Sequence, residues 1–201
     1  MRRADRRDAI IQGTADLVWS HGLEAVTVRS VAEYLGCSRG NVHHTFNTLD
    51  ELLGEALWAV WQRLSPLYVL DQERPFDERV VGVLVGTLDA EANLIADRIW
   101  RDALAAAKMH ESIGRVLKKA MFEWLEVVRE TLERGRAEGD LPEAIDVETL
   151  ARGLMAVAMG QDIIADVLDG KNSFEKQSAA VLGYLRNEIQ IAQNDLHREV
   201  E

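Results

Sequence analysis

The stretch TVRSVAEYLGCSRGNVHHTF, Thr27 to Phe46, holds two short apolar stripes on either side of a glycine. In its first half Val28, Val31, Ala32 and Leu35 recur at helical spacing, and Thr27 stands just ahead of them, where a helix N-cap belongs. Gly36 supplies the turn. Ser38 is placed to cap a second helix whose buried positions are Val42 and Phe46, so Arg39, Gly40, Asn41, His43 and His44 face outward. An Arg, an Asn and a His pair on one short exposed helix suit base edges and phosphates, which is how a helix-turn-helix reads DNA.

Two short helices bury too little surface to stand alone, and the flanks supply the rest. Upstream, Ile10, Ile11, Leu17 and Val18 form the apolar stripe of a helix ending at His21-Gly22. Downstream, Thr48 and Glu51 have capping-box spacing, and Leu49, Leu52, Leu53, Ala56, Leu57, Val60, Trp61 and Leu64 keep helical period. This predicts a three-helix head over residues 1–50, with a long fourth helix leading into a second domain over 51–201.

The Arg-rich start, the segment HGLEAVTVRSVAEYLGCSRGNVHHTF and the following TLDELL resemble the TetR (tetracycline-repressor-like) transcriptional regulators through about residue 56. The later segments RIWRDALAAA and DVETLARGLMAVAMG resemble the variable helical regulatory domain of that family, and within it the betaine-synthesis repressor branch. The resemblance implies a homodimer on a palindromic operator and a small-molecule effector among the middle helices that changes the separation of two DNA-reading heads. Two positions depart from the family pattern. His43 stands where a Tyr is usual and Leu49 where a Lys is usual, and both family residues commonly touch phosphate. His43 still donates a hydrogen bond, whereas Leu49 carries neither donor nor charge, which predicts modest nonspecific affinity.

Charge fits a DNA contact confined to the N-terminal end. The 201 residues carry a net charge of -11, yet residues 1–46 hold six Arg against five acidic groups, so the excess negative charge lies in the rest. Arg2, Arg3, Arg6 and Arg7 read either as an arm near phosphates, giving salt-dependent affinity, or as a solvated terminus. A single cysteine, Cys37, excludes an intrachain disulfide and reads as a packed residue in the turn. With no signal sequence and no long apolar run, a cytoplasmic protein without membrane contact is expected.

From Pro75 onward the pattern is helical, without strand alternation or repeats, and the whole chain is expected to be all-α with about nine helices. One helix opens at Pro75 and ends near Asp89 to Asn93, and another runs from Ile95 to Met109. A third carries the stripe Ile113, Val116, Leu117, Ala120, Met121, Trp124, Val128 and Leu132 and stops from Gly135 to Pro142. Asp146 and Ser173 cap the last two, the first running to about Leu168.

That last pair reads as the dimer element. The helix from Leu150 to Leu168 is apolar almost all round, more than one subunit of this size readily covers, and Ala156 and Gly160 allow close helix approach. Ile164, Leu168, Val181, Leu185 and Ile189 complete the expected interface, the alternative being burial within one large bundle. A two-fold dimer would set two recognition helices about one DNA turn, ~34 Å, or a little more apart.

For the effector, Trp61, Trp100, Phe122 and Trp124, with Met155, Met159, Gln161 and Asp162, are candidate lining residues. Aromatic faces with nearby carboxylates favour a cationic or aromatic ligand. The competing reading makes the aromatics plain core and the acids a solvated face.

Catalysis has little footing: there is no phosphate loop, nucleophile elbow or specific carboxylate pair, and no cofactor is expected. His43 and His44 point about 100° apart on a helix, so a metal site is not expected there. The sequence thus points to an effector-released repressor. Arg39, Asn41 and His44 would meet base edges, Thr27, Arg29, Ser38 and His43 phosphates, and Val28 and Gly40 complete the DNA-facing set. The rival is an acidic helical protein that binds a small molecule or protein partner and has a degenerate head.

Overall fold

The computed structural model describes residues 3–68, 73–86, 90–169 and 173–199, and among these every regular element is helical. The helices are α1 (Arg3–His21), α2 (Val28–Tyr34), α3 (Arg39–Thr45), α4 (Leu49–Leu64), α5 (Phe76–Val85), α6 (Ala90–Ala106), α7 (Glu111–Glu138), α8 (Val147–Ile164) and α9 (Phe174–Glu199). Short 3-10 turns lie at Leu23–Ala25 and Ser65–Tyr68, and a π turn at Ala165–Asp169 follows α8.

One helix end differs from expectation. α5 stops at Gly86, where φ is +93°, short of the expected end near Asp89, a residue outside those described. α7 runs through Gly135 and ends at Gly139, whose φ is +90°, inside the expected stretch from Gly135 to Pro142. Gly135 is a notch rather than a stop: a Cβ there would lie 2.2 Å from the Phe76 ring, so its missing side chain lets α5 approach α7.

The chain packs as two compact units, one of Met1–Pro66 with Leu94–Met121, the other of Leu67–Asn93 with Phe122–Glu201. In the first, α1 lies along α4, and Ile10, Val18, Val31, Val42, Phe46, Leu52, Leu53 and Val60 are buried between the N-terminal helices. Each such side chain contributes about 1.5–3 kcal/mol by leaving water. Arg7 bridges to Glu55 and Glu51, and Arg63 Nη1 reaches Asp16 Oδ1 at 2.7 Å, so ion pairs link α1 to α4 at both ends of their contact. The same unit takes in Ile99 and Ala103 of α6 and Ile113 and Ala120 of α7.

In the second unit α5, α8, α9 and the later turns of α7 enclose Val80, Val83, Val128, Leu132, Leu150, Leu154, Val181 and Leu185. The Trp124 indole N–H donates to Val83 O at 2.6 Å, and the buried Arg79 guanidinium bonds Glu138.

Candidate nucleic-acid interface

Both short helices of the head are fixed by their caps. Thr27 Oγ1 accepts from Ser30 N at 3.0 Å while Ser30 Oγ accepts from Thr27 N at 2.9 Å, a reciprocal capping box that the sequence had suggested only on the Thr27 side. Ser38 Oγ accepts from Asn41 N at 3.2 Å at the start of α3. Between them Gly36 takes φ +62° with open space around it. Each cap satisfies a donor that a seven-residue helix would otherwise leave orphaned, a contribution of about 1 kcal/mol. Thr48 caps α4 by accepting from Glu51 N at 3.0 Å, and Glu51 Oε2 accepts from Asn47 N at 3.1 Å.

With Val42 and Phe46 pinned inward, Arg39, Gly40, Asn41, His43 and His44 are all exposed. Gly40 is informative because nothing within the chain requires it: an added Cβ would meet only Ser38 Oγ, at an ordinary 3.6 Å. A helical glycine costs about 1 kcal/mol relative to alanine. Its use on the outward face of α3 suits a surface approached closely from outside. Thr27 and Ser38 are also exposed, and Val28 is half-buried as the first residue of α2.

Two arginines of the expected DNA-facing set already have acidic partners within the chain. Arg7 is not an open phosphate ligand, because its guanidinium is held by Glu55 and Glu51 and lies 4.6 Å over the Phe46 ring. Arg29 Nε donates to Glu33 Oε1 at 2.7 Å, a hydrogen bond that raises the Arg29 pKa, so any phosphate must compete with Glu33. Leu49 is half-buried at the first turn of α4. Arg6 is exposed, while Arg2 and the Arg3 side chain lie outside the described residues.

Residues 10–56, the span that builds this head, match the sequence model of the bacterial regulatory proteins of the tetR family. Over that span the chain is similar to the TetR-family transcriptional regulators. It is 24% identical over 190 residues to the HTH-type transcriptional repressor KstR2 of Mycolicibacterium smegmatis, covering 83% of this chain and 91% of that protein. It is also 24% identical over 191 residues to the HTH-type transcriptional regulator BetI of Stenotrophomonas maltophilia, covering 93% and 94%. Its fold is shared with a transcriptional regulator from Saccharomonospora viridis in complex with choline, at a TM-score of 0.72 and 19% identity over 91% of this chain and 96% of that one. These relatives are transcriptional regulators.

The first unit holds a small apolar cavity of about 20 Å³, room for a water or so, between Leu57, Trp61 and Leu64 of α4, Ile99, Trp100 and Ala103 of α6, and Val116, Leu117 and Ala120 of α7. Trp61 and Trp100 meet edge to face there, ring centroids 5.4 Å apart. Of the candidate lining residues, these two alone belong to this cavity. Phe122 is exposed, Trp124 is bound to Val83 O in the second unit, and Met155 and Asp162 are buried in α8, with Met159 and Gln161 half-buried beside them. Trp58 instead walls a wider cleft of about 330 Å³ that Glu51, Glu55, Arg115 and Lys119 also line, and Lys119 Nζ sits 3.5 Å over its ring.

The second unit leaves an apolar surface. Ile163, Ile164, Val167 and Leu168 are 50–76% exposed, and Ala156 is exposed on the same helix. A Cβ on Gly160 would meet nothing within 4 Å. Val181 and Leu185 correct the expected interface set: both are fully buried, packed within their own chain because the α9 stripe turns toward α8 and α5. Ile189 is half-buried. Among the described residues no helix is long and apolar enough to cross a membrane.

Proposed function

We propose that this chain is a cytoplasmic repressor that binds an inverted-repeat operator as a homodimer through α3 and leaves it when a small effector enters the Trp61–Trp100 cavity. The observation that carries the DNA reading is the outward face of α3, where Arg39, Asn41 and His44 are exposed on a helix anchored by Ser38, Val42 and Phe46. Arg39 and Asn41 have the forks that pair with guanine and adenine edges, and Thr27, Ser38 and His43 offer donors to phosphate. The apolar face of α8 would close against a second copy, with Ala156, Gly160, Ile164 and Leu168 in the contact.

The effector reading rests on the lining. The cavity walls carry no charged side chain, so a charge on the effector must be one that aromatic faces hold, such as a quaternary ammonium. The choline bound by the Saccharomonospora regulator has that chemistry. A void of about 20 Å³ admits no such molecule as it stands, so binding must part α4 from α6 and α7. Since α4 packs along α1, that movement reaches the head.

The test is selection of bound duplexes from a random pool by the purified protein at low and physiological salt, followed by tryptophan fluorescence during titration with choline and with indole. An enriched inverted repeat supports the DNA reading. Failure at both salts with a folded dimer would favour the rival, a partner-binding protein with a degenerate head, for which the uncharged Leu49 and the engaged Arg7 speak.

A further inference from the structure

We infer that Arg98 and Asp102 are positioning residues that clamp the end of α1 and carry the state of the Trp61–Trp100 cavity to the DNA-reading head. The inference rests on the effector reading above and names the link that reading needs. Asp102 Oδ2 accepts a hydrogen bond from Leu23 N at 3.0 Å, and Arg98 Nη2 donates to Trp19 O, both joining residues 79 apart in sequence. Each side chain meets the backbone end whose partial charge it complements. The guanidinium sits on a carbonyl of the last turn of α1, and the carboxylate on an amide opening the Leu23–Ala25 turn.

The approach is close enough to dictate the residue between. Gly22 has φ +83°, and a Cβ on it would stand 2.7 Å from Asp102 Oδ2. Only glycine meets both demands. Arg98 Nε is buried without a partner, so this guanidinium is aimed at Trp19 O at the cost of one of its own donors.

Arg98 and Asp102 lie one turn apart on α6, and the residues beside them, Ile99, Trp100 and Ala103, line the cavity. A single rigid stretch therefore faces the void on one side and grips α1 on the other. A ligand that pushes Trp100 and Ala103 outward shifts Arg98 and Asp102 with them, because a packed helix moves as a body. The clamp then loses its geometry, the Leu23–Ala25 turn loosens, and α2, which begins at Val28, no longer holds its angle to α1.

The test needs no natural effector. Asp102→Ala, Asp102→Asn, the cavity-filling Ala103→Leu and the double variant Asp102→Ala/Ala103→Leu are compared with the wild-type dimer. Amide exchange at Leu23 and affinity for the selected duplex are the readouts. Loss of one charge-assisted hydrogen bond should speed Leu23 exchange about tenfold or more in Asp102→Ala, while Asp102→Asn, which keeps an acceptor oxygen, stays near wild type. Ala103→Leu should speed the same amide and weaken duplex binding, and should add nothing in the Asp102→Ala background. Ala120→Val fills the same void from α7 should Ala103→Leu fail to fold. Equal effects of cavity filling with and without Asp102, or a Leu23 amide unchanged by both fillings in folded protein, would overturn the clamp. An absent selected duplex sinks the DNA reading instead, and Leu23 exchange still reports the clamp.

Discussion

The outward face of α3 and the outward face of α8 are both left uncovered by their own chain, but their chemistry is opposite. On α3 the exposed groups are Arg39, Asn41, His43 and His44, which water already solvates and which release it only for matched partners. On α8 and the π turn that follows it the exposed groups are Ile163, Ile164, Val167 and Leu168, which gain from any dry surface of fitting shape. The first face can therefore discriminate among sequences, and the second can only associate. In the proposed dimer the second would align two copies of the first.

The largest expected effect breaks the apolar face. Ile164→Asp with Val167→Asp should convert a dimer to monomers in sedimentation and lower affinity for the inverted repeat by at least about a hundredfold, since the second head no longer binds intramolecularly. Persistence of the dimer would move the interface off α8. Next comes Asn41→Ala, expected to cut discrimination between selected and random duplex by about tenfold, the range of one bidentate base contact, with little change on random DNA. Equal losses on both would remove Asn41 from base readout.

Two substitutions sharpen the contrast without breaking either face. Leu49→Lys should raise affinity on any duplex and steepen the salt dependence by about two counterions per dimer, one for each head. Glu33→Ala, which removes the hydrogen-bond acceptor of Arg29, should give a smaller gain of the same nonspecific kind.

The smallest expected effect is on acid stability. Burial pushes the Asp50 pKa up, but hydrogen bonds from the Ser112 hydroxyl and amide and from His110 outweigh it, leaving the carboxyl below its ordinary value. A depressed folded pKa contributes stability that is complete above the unfolded value, about pH 4, and is lost as pH falls through the folded one. The melting difference between wild type and Asp50→Asn should therefore be present at pH 6 and shrink below about pH 4.

Legibility followed the range of the interactions. Thr27, Ser38 and Thr48 were readable as caps because each bonds a residue three positions on, and Val42 and Phe46 as buried because one helical turn separates them. The capture of Arg7 by Glu55 and of Trp124 by Val83 O spans 48 and 41 residues, and no local pattern announces it. Aromatics at helical spacing look alike in the chain, so Trp58, Trp100 and Trp124 could not be sorted into cleft wall, cavity wall and core.

By itself the sequence determined an all-helical chain, the turn at Gly36, the caps of α2, α3 and α4, and the polar face that α3 presents, because these follow from contacts within a turn or two. Only the tertiary structure decided which tryptophans share a cavity, which arginines are already paired, that Val181 and Leu185 face inward, and that α6 reaches Leu23 across 79 residues. Those outcomes depend on which helix faces pack together, and helical period fixes where a stripe runs but not what it meets.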